Sequence, residues 1–187
     1  MKVLDFESVF RLLLGSFKKY KISAALIGGF ALHVGGYSRA TEDIDFLVAR
    51  EDMPKVKKLL FSFGYKLLHE SEDVSNFAGG LKELGRVDFL HAHRSYAKAM
   101  LERAPETDIL NGQFKVKVIT PEDLIGLKVQ SSSNDAGRYH LDMADIEEMI
   151  RSNYKNLKLD LIEEYFKLFH REAELKKILE RVRKDAQ

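Results

Sequence analysis

The chain has 187 residues, 45% apolar and 32% charged, with a net charge of +1, which suits one α/β core with a helical extension and supplies no global basic field to draw nucleic acid. It contains no cysteine, which excludes disulfides, thiolate nucleophiles and Cys-ligated zinc. No apolar run approaches about 20 residues, and the opening MKVLDFESVF carries acids early, so the expectation is a cytoplasmic protein without signal peptide or membrane partner.

Apolar residues at helical spacing, from Leu4 to Phe17, predict an amphipathic helix over 4–20. Residues 23–27 read as a short strand, after which Gly28 and Gly29 turn the chain into a helix over 30–34. A loop over 35–38 leads to a second strand, 43–49. A helix over 53–63, ended by Gly64, precedes a strand at 65–69, a loop at 71–80, and two strands, 81–84 and 86–90, around Gly85. Residues 94–103 read as a helix. Asn111-Gly112 then marks a two-residue hairpin between Ile109-Leu110 and the alternating Phe114, Val116 and Val118. From Thr120-Pro121 onward only helices are expected, over 121–131, 138–151, 157–169 and 172–185, with a polar break at 131–137. Strands alternating with helices, then helices alone, predict an α/β (α+β) protein with a small mixed sheet and an all-helical C-terminal half.

The informative stretch is Gly28-Gly29, followed by Thr41-Glu42-Asp43-Ile44-Asp45-Phe46. Side chains alternate along a strand, so Asp43 and Asp45 project from one face while Ile44 and Phe46 take the other. Two acids this close repel, and burial raises the cost unless a cation sits between them. Oxygen-only ligands suit Mg²⁺ or Mn²⁺. Asp88, in the similar run Arg86-Val87-Asp88-Phe89-Leu90, is a third candidate, and three carboxylates on adjacent strands could hold two cations for in-line phosphoryl displacement. A glycine turn supplies backbone N–H groups for phosphate.

The order Gly-Gly-x-Ala, Gly-x-x-Arg-x-Thr-x-Asp-Ile-Asp, then Val-Asp-Phe-Leu resembles the nucleotidyltransferase superfamily with the DNA-polymerase-β-like fold. More narrowly it is similar to small stand-alone prokaryotic members, which include toxins of abortive-infection-type toxin–antitoxin systems. The resemblance covers residues 20–150. It implies that Gly28 and Gly29 contact nucleotide phosphates, that Asp43 and Asp45 are the metal-binding pair, and that Asp88 binds the catalytic metal and activates the acceptor. One departure is Gly28-Gly29 where many relatives carry Gly-Ser, which leaves backbone N–H groups to do the work of a hydroxyl.

Arg39 and Thr41 precede the acids, the first suited to a phosphate oxygen and the second to orienting Asp43 or the glycine turn. Lys128, on an apolar helix face, wants a counter-charge; the resemblance sends it to the triphosphate. Asp142 and Asp145 share a helix face and read as partners of Arg138 or Lys128. His91 and His93 point away from Asp88 if their strand continues, and His33 reads as structural. Lysines 55, 57 and 58 and the basic residues of 176–184 read as solvated faces. The expected organisation is a catalytic core over 1–120 and a helical extension over 121–187 packed on it.

These readings lead to a Mg²⁺- or Mn²⁺-dependent nucleotidyltransferase moving NMP from an NTP to an acceptor hydroxyl and releasing pyrophosphate. The acceptor stays open among an RNA end such as tRNA, a protein and a small molecule, and a toxin role would bring an antitoxin partner. Two alternatives are an inactive nucleotide- or partner-binding module on the same fold and a D-x-D nucleotide-sugar glycosyltransferase, against which the glycine turn and third acid argue.

Overall fold

The structure, a computed structural model, describes residues 5–37 and 41–185, and its contacts divide the chain into two units, Met1–Thr120 and Pro121–Gln187. Leu4 and Arg39 lie outside the described residues.

In the N-terminal unit the Asp5 side chain caps α1 (Phe6–Tyr20) by accepting from the Ser8 N–H, and Val9, Phe10, Leu13 and Phe17 form its buried stripe. There follow β1 (Ala24–Leu26), α2 (Gly28–Val34), β2 (Asp43–Ala49), α3 (Met53–Ser62), β3 (Tyr65–Glu70), β4 (Val74–Gly79), β5 (Arg86–Ala92), α4 (Ser95–Arg103), β6 (Glu106–Ile109) and β7 (Phe114–Lys117). Five strands make one mixed sheet in the order β1-β2-β5-β4-β3. β2 and β5 run parallel, and the other neighbours run antiparallel. β6 and β7 pair separately, and Val118 bridges to Leu26 at the end of β1.

An aromatic layer fixes the register of the central strands. Phe46 of β2 stacks on Phe89 of β5 at 5.8 Å and meets Phe17 of α1 edge-on at 5.3 Å. Phe77 of β4 meets Phe89 edge-on at 5.9 Å. Each such pair adds about 0.5–1.5 kcal/mol beyond its buried area. Sliding any of these strands by one residue would move its rings to the opposite face. The same packing therefore sets what the reverse face carries.

Three local expectations are corrected. Residues 71–80 are not one loop, because 74–79 form β4, paired on both sides by β3 and β5. Its polar residues disguised it: Ser75, fully buried, is satisfied by His91 Nε2 at 3.0 Å, while Phe77 supplies the apolar anchor. Residues 81–84 are not a strand; Lys82–Leu84 form a 3₁₀ turn where the chain reverses between β4 and β5, and Leu81 is exposed. The 110–113 turn has four residues, because Ile109 pairs with Phe114. Leu110, Asn111 and Gly112 all take positive φ there (49°, 58° and 81°).

The C-terminal unit is helical: α5 (Pro121–Asn134), α6 (Tyr139–Asn153), α7 (Leu159–Leu168) and α8 (Glu172–Asp185). α5 runs through the serines expected to break it. The Ser133 hydroxyl bonds back to the Val129 carbonyl at 2.7 Å, and buried Arg171 donates to Ser132 Oγ at 2.6 Å and to the same carbonyl at 3.3 Å. A tertiary cation thus overrides local preference. Gly126 of α5 lies under the Tyr165 ring, where a Cβ would come within 2.7 Å, and the Tyr165 hydroxyl donates to buried Asp123 at 2.7 Å. Among the described residues no helix is long and apolar enough to cross a membrane.

Candidate active site

The chain leaves β1 at Ile27, whose N–H donates to the Asp45 carbonyl at 2.9 Å. Gly28 then turns into α2 with φ 64°, a left-handed conformation that strains any side chain. It has a second reason to be glycine, since a Cβ there would overlap the Asp45 carboxylate. Gly29 has ordinary backbone but no room: a Cβ would lie 2.5 Å from Thr41 Cβ and 2.6 Å from its hydroxyl. That Thr41 hydroxyl donates to the Asp43 carbonyl at 2.9 Å. The turn, Thr41 and the acid strand are therefore one interlocked piece.

On β2, half-buried Asp43 and Asp45 alternate with fully buried Ile44 and Phe46. Parallel pairing with β5 sets Asp43 beside Arg86 and Asp45 beside Asp88. On its other side β5 sets Asp88 beside Asn76 of β4. Paired residues project from the same face of a sheet, so Asp43, Asp45, Arg86, Asp88 and Asn76 share the face opposite the aromatic layer.

Burial pushes the Asp88 carboxyl above its ordinary range, and the charge of Asp43 adds to this; the polar neighbourhood of the Asn76 side chain and the Phe77 backbone, with the Arg86 charge, offsets it only in part. Asp88 Oδ1 is buried and has no hydrogen-bond partner, a costly condition for a carboxylate oxygen. Among the described residues no three His, Cys, Asp or Glu side chains close around one point as a ready-made metal cage. The carboxylates share a face without converging on a single position. Their chemistry still fits a hard divalent cation: all donors are oxygen, one is unpartnered, and the Asp45 carboxylate packs directly against the Gly28 turn.

In the C-terminal unit Lys128 is buried, with its ammonium 3.2 Å from Asp142 and 2.6 Å from Asp145, and Arg138 reaches Asp142 at 3.3 Å. His91 is buried between Ser75 and the Glu72 carbonyl, and His93 bonds to Asp73 at 2.7 Å. Lys55 and Lys57 pair with Asp52 and Glu70, while Arg181 and Arg183 bond to Glu147 and Tyr154. His33 is exposed on α2. Asn76 and Arg86 were missed as members of the acid face. Arg86 was legible as the residue two before Asp88 on a strand, whereas Asn76 needed β4 to be seen.

No curated protein sequence matches the chain. Solved structures do match its fold. The antibiotic-resistance factor ANT(2'')-Ia superposes with a TM-score of 0.63 at 14% identity, over 93% of this chain and 96% of that one. The lincosamide antibiotic adenylyltransferase LnuA gives 0.55 at 20% identity, over 79% and 99%. An antigenic nucleotidyltransferase-like protein from Paracoccidioides brasiliensis gives 0.54 at 19% identity, over 96% and 95%. The model of one family, described as nucleotidyl transferase of unknown function (DUF2204), matches residues 6–184, and the chain belongs to that nucleotidyltransferase family.

Proposed function

We propose that the protein transfers a nucleoside monophosphate from an NTP to an acceptor hydroxyl, releasing pyrophosphate, with Mg²⁺ or Mn²⁺ held by Asp43, Asp45 and Asp88. The observation that carries this reading is the buried, unpartnered Oδ1 of Asp88 on the strand beside Asp45. A divalent cation bound there supplies charge neutralisation at the triphosphate and a lowered pKa for the attacking hydroxyl. The chain's own groups do the rest. The Gly28–Gly29 backbone N–H groups bind and orient the phosphates, the Thr41 hydroxyl, donating to the Asp43 carbonyl, holds the acid strand against that turn, and Arg39 is assigned to the phosphates from the sequence. Asp88 accepts the proton of the acceptor hydroxyl as its oxygen bonds to the α-phosphorus and the bond to pyrophosphate breaks. Positioning and electrostatics supply most of the rate, as in phosphoryl transfer generally. Lys128, committed to two carboxylates, is in this reading a structural cation.

The similar fold of a lincosamide antibiotic adenylyltransferase favours a small-molecule hydroxyl as acceptor. The test is incubation with each α-labelled NTP and Mg²⁺ against three acceptor pools: aminoglycosides and lincosamides, total RNA, and lysate protein. Metal-dependent transfer to one pool, abolished by Asp45→Asn, is expected. Nucleotide bound without transfer would favour the binding-module alternative, and absence of nucleotide binding would remove the reading.

A further inference from the structure

The sheet face that carries the acids continues past them. β4 sets Ala78 beside Arg86 and Asn76 beside Asp88, and β3 in turn sets Lys66 beside Ala78 and His69 beside Asn76. Paired residues share a face, so Arg86, Lys66 and His69 belong to it, with the small Ala78 between the first two. All three are exposed, and none enters an ion pair among the described residues. Glu70, the next residue of β3, takes the opposite face and is engaged there by Lys57 at 2.8 Å.

The strand order β1-β2-β5-β4-β3 gives this row a place in the transfer. The Gly28–Gly29 turn leaves β1, on one side of the acid pair, and β5 lies on the other. In-line displacement puts the leaving pyrophosphate and the attacking hydroxyl on opposite sides of the α-phosphorus. With the leaving phosphates at the turn, the acceptor reaches Asp88 from the β4–β3 side, across Arg86 and Lys66. We infer that the acceptor is a small molecule bearing a phosphate besides its reacting hydroxyl, the phosphate being held by Arg86 and Lys66. The inference rests on the reading of Asp43, Asp45 and Asp88 as the transfer site. The acceptor hydroxyl oxygen bonds to the α-phosphorus and its proton passes to Asp88 as pyrophosphate leaves, so the product is a phosphodiester that keeps the acceptor's own phosphate. A guanidinium grips phosphate through two parallel hydrogen bonds, whereas a polycationic acceptor meets like charge here. Arg86 stands about 7 Å along the strand from Asp88, and Lys66 lies two strands from Arg86, about 10 Å away, a span that one small molecule fills. The net charge of +1 supplies no wider basic field for a polynucleotide.

The test is transfer from α-labelled NTPs, with Mg²⁺ and the full-length protein, to four pools: the small-molecule fraction of a bacterial lysate, the same fraction pretreated with alkaline phosphatase and freed of it, total RNA, and kanamycin. Label in the untreated fraction, lost after phosphatase, is expected. Arg86→Gln should raise the KM for that acceptor by about 10-fold and Lys66→Gln by less, with the KM for NTP and the melting temperature close to wild type. Equal labelling of the treated fraction, or labelling of RNA or kanamycin alone, overturns the inference while leaving the transfer reading in place. A changed Mg²⁺ requirement in Arg86→Gln with an unchanged acceptor KM overturns it as well, making Arg86 a counter-charge of the acids only. A loss in Lys66→Gln that tracks a lowered melting temperature overturns the part given to Lys66, leaving it a guard of the edge strand. No transfer to any pool removes the transfer reading, and this inference with it.

Discussion

In the C-terminal unit, fully buried Asp142 meets Lys128 at 3.2 Å and Arg138 at 3.3 Å; in the N-terminal unit, Asp88 stands beside Asp45 with one oxygen unpartnered. Burial pushes both carboxyls upward, but the outcomes differ. Around Asp142 the Lys128 charge, hydrogen bonds from Ser131 and Arg138 and the Arg138 charge outweigh burial, and the carboxyl ends below its ordinary range. Around Asp88 burial wins, and the Asp43 charge reinforces it. The first cluster is complete within the chain and reads as architecture. The second leaves Asp88 Oδ1 without a partner, the Arg86 charge offsetting burial only in part, which is the condition a bound cation relieves. Sites that break the rules of packing in this way are where function is expected.

The largest effect should come from breaking the complete cluster. Lys128→Met removes the ammonium shared by Asp142 and Asp145, and breaking such a buried pair costs about 3–5 kcal/mol, measurable by denaturant unfolding. An unchanged midpoint would class the cluster with surface pairs of little worth. Next come Asp43→Asn and Asp45→Asn, which should leave the fold intact and lower label transfer by about 10²–10³-fold; retained transfer in either would remove that acid from the site. Gly28→Ala combines a positive φ with overlap onto Asp45, and should cost about 1–3 kcal/mol together with most transfer. Gly29→Ala should be rescued in part by Thr41→Gly, because the two positions share one side-chain volume. If that double variant were worse than either single change, the shared-volume account would fail.

Asp88→Asn sharpens the comparison through its sign. A raised folded pKa means that protonated Asp88 is the favoured form in the folded protein. Its contribution to stability is present below the unfolded value and is lost as pH rises through the folded value. At neutral pH and without metal, Asp88→Asn should therefore melt at or above wild type, each kcal/mol gained being worth about 2–4 °C. The advantage should fade as pH falls through the raised Asp88 value towards the ordinary 3.8. Asp142→Asn should do the opposite and destabilise at neutral pH, its deficit shrinking as acid protonates the wild-type carboxylate. Equal behaviour of the two variants would erase the distinction between the regions.

Much of this was readable because period-2 alternation in Asp43-Ile44-Asp45-Phe46 gives both the strand and the face of its acids, and because Gly28 sits where the chain must turn. Other features were not, for reasons of tertiary partnership. β4 hides because Ser75 is satisfied across the sheet by His91 and Asn76 stands in register with Asp88, so its sequence looks like a loop. The end of α5 hides because Arg171, 38 positions beyond Ser133, holds its serines in helix. That Asp45 and Asp88 stand side by side is a matter of register, which no spacing along the chain specifies. Lys128 was legible as a cation in need of acids, but its choice of Asp142 and Asp145 required the fold.

The most direct test is anomalous diffraction from crystals soaked with Mn²⁺ and α,β-methylene-ATP. The account expects Mn²⁺ bound by carboxylate oxygens of Asp43, Asp45 and Asp88, with the triphosphate at the Gly28–Gly29 turn. Mn²⁺ and nucleotide bound together elsewhere, with these three side chains uncoordinated, would contradict it.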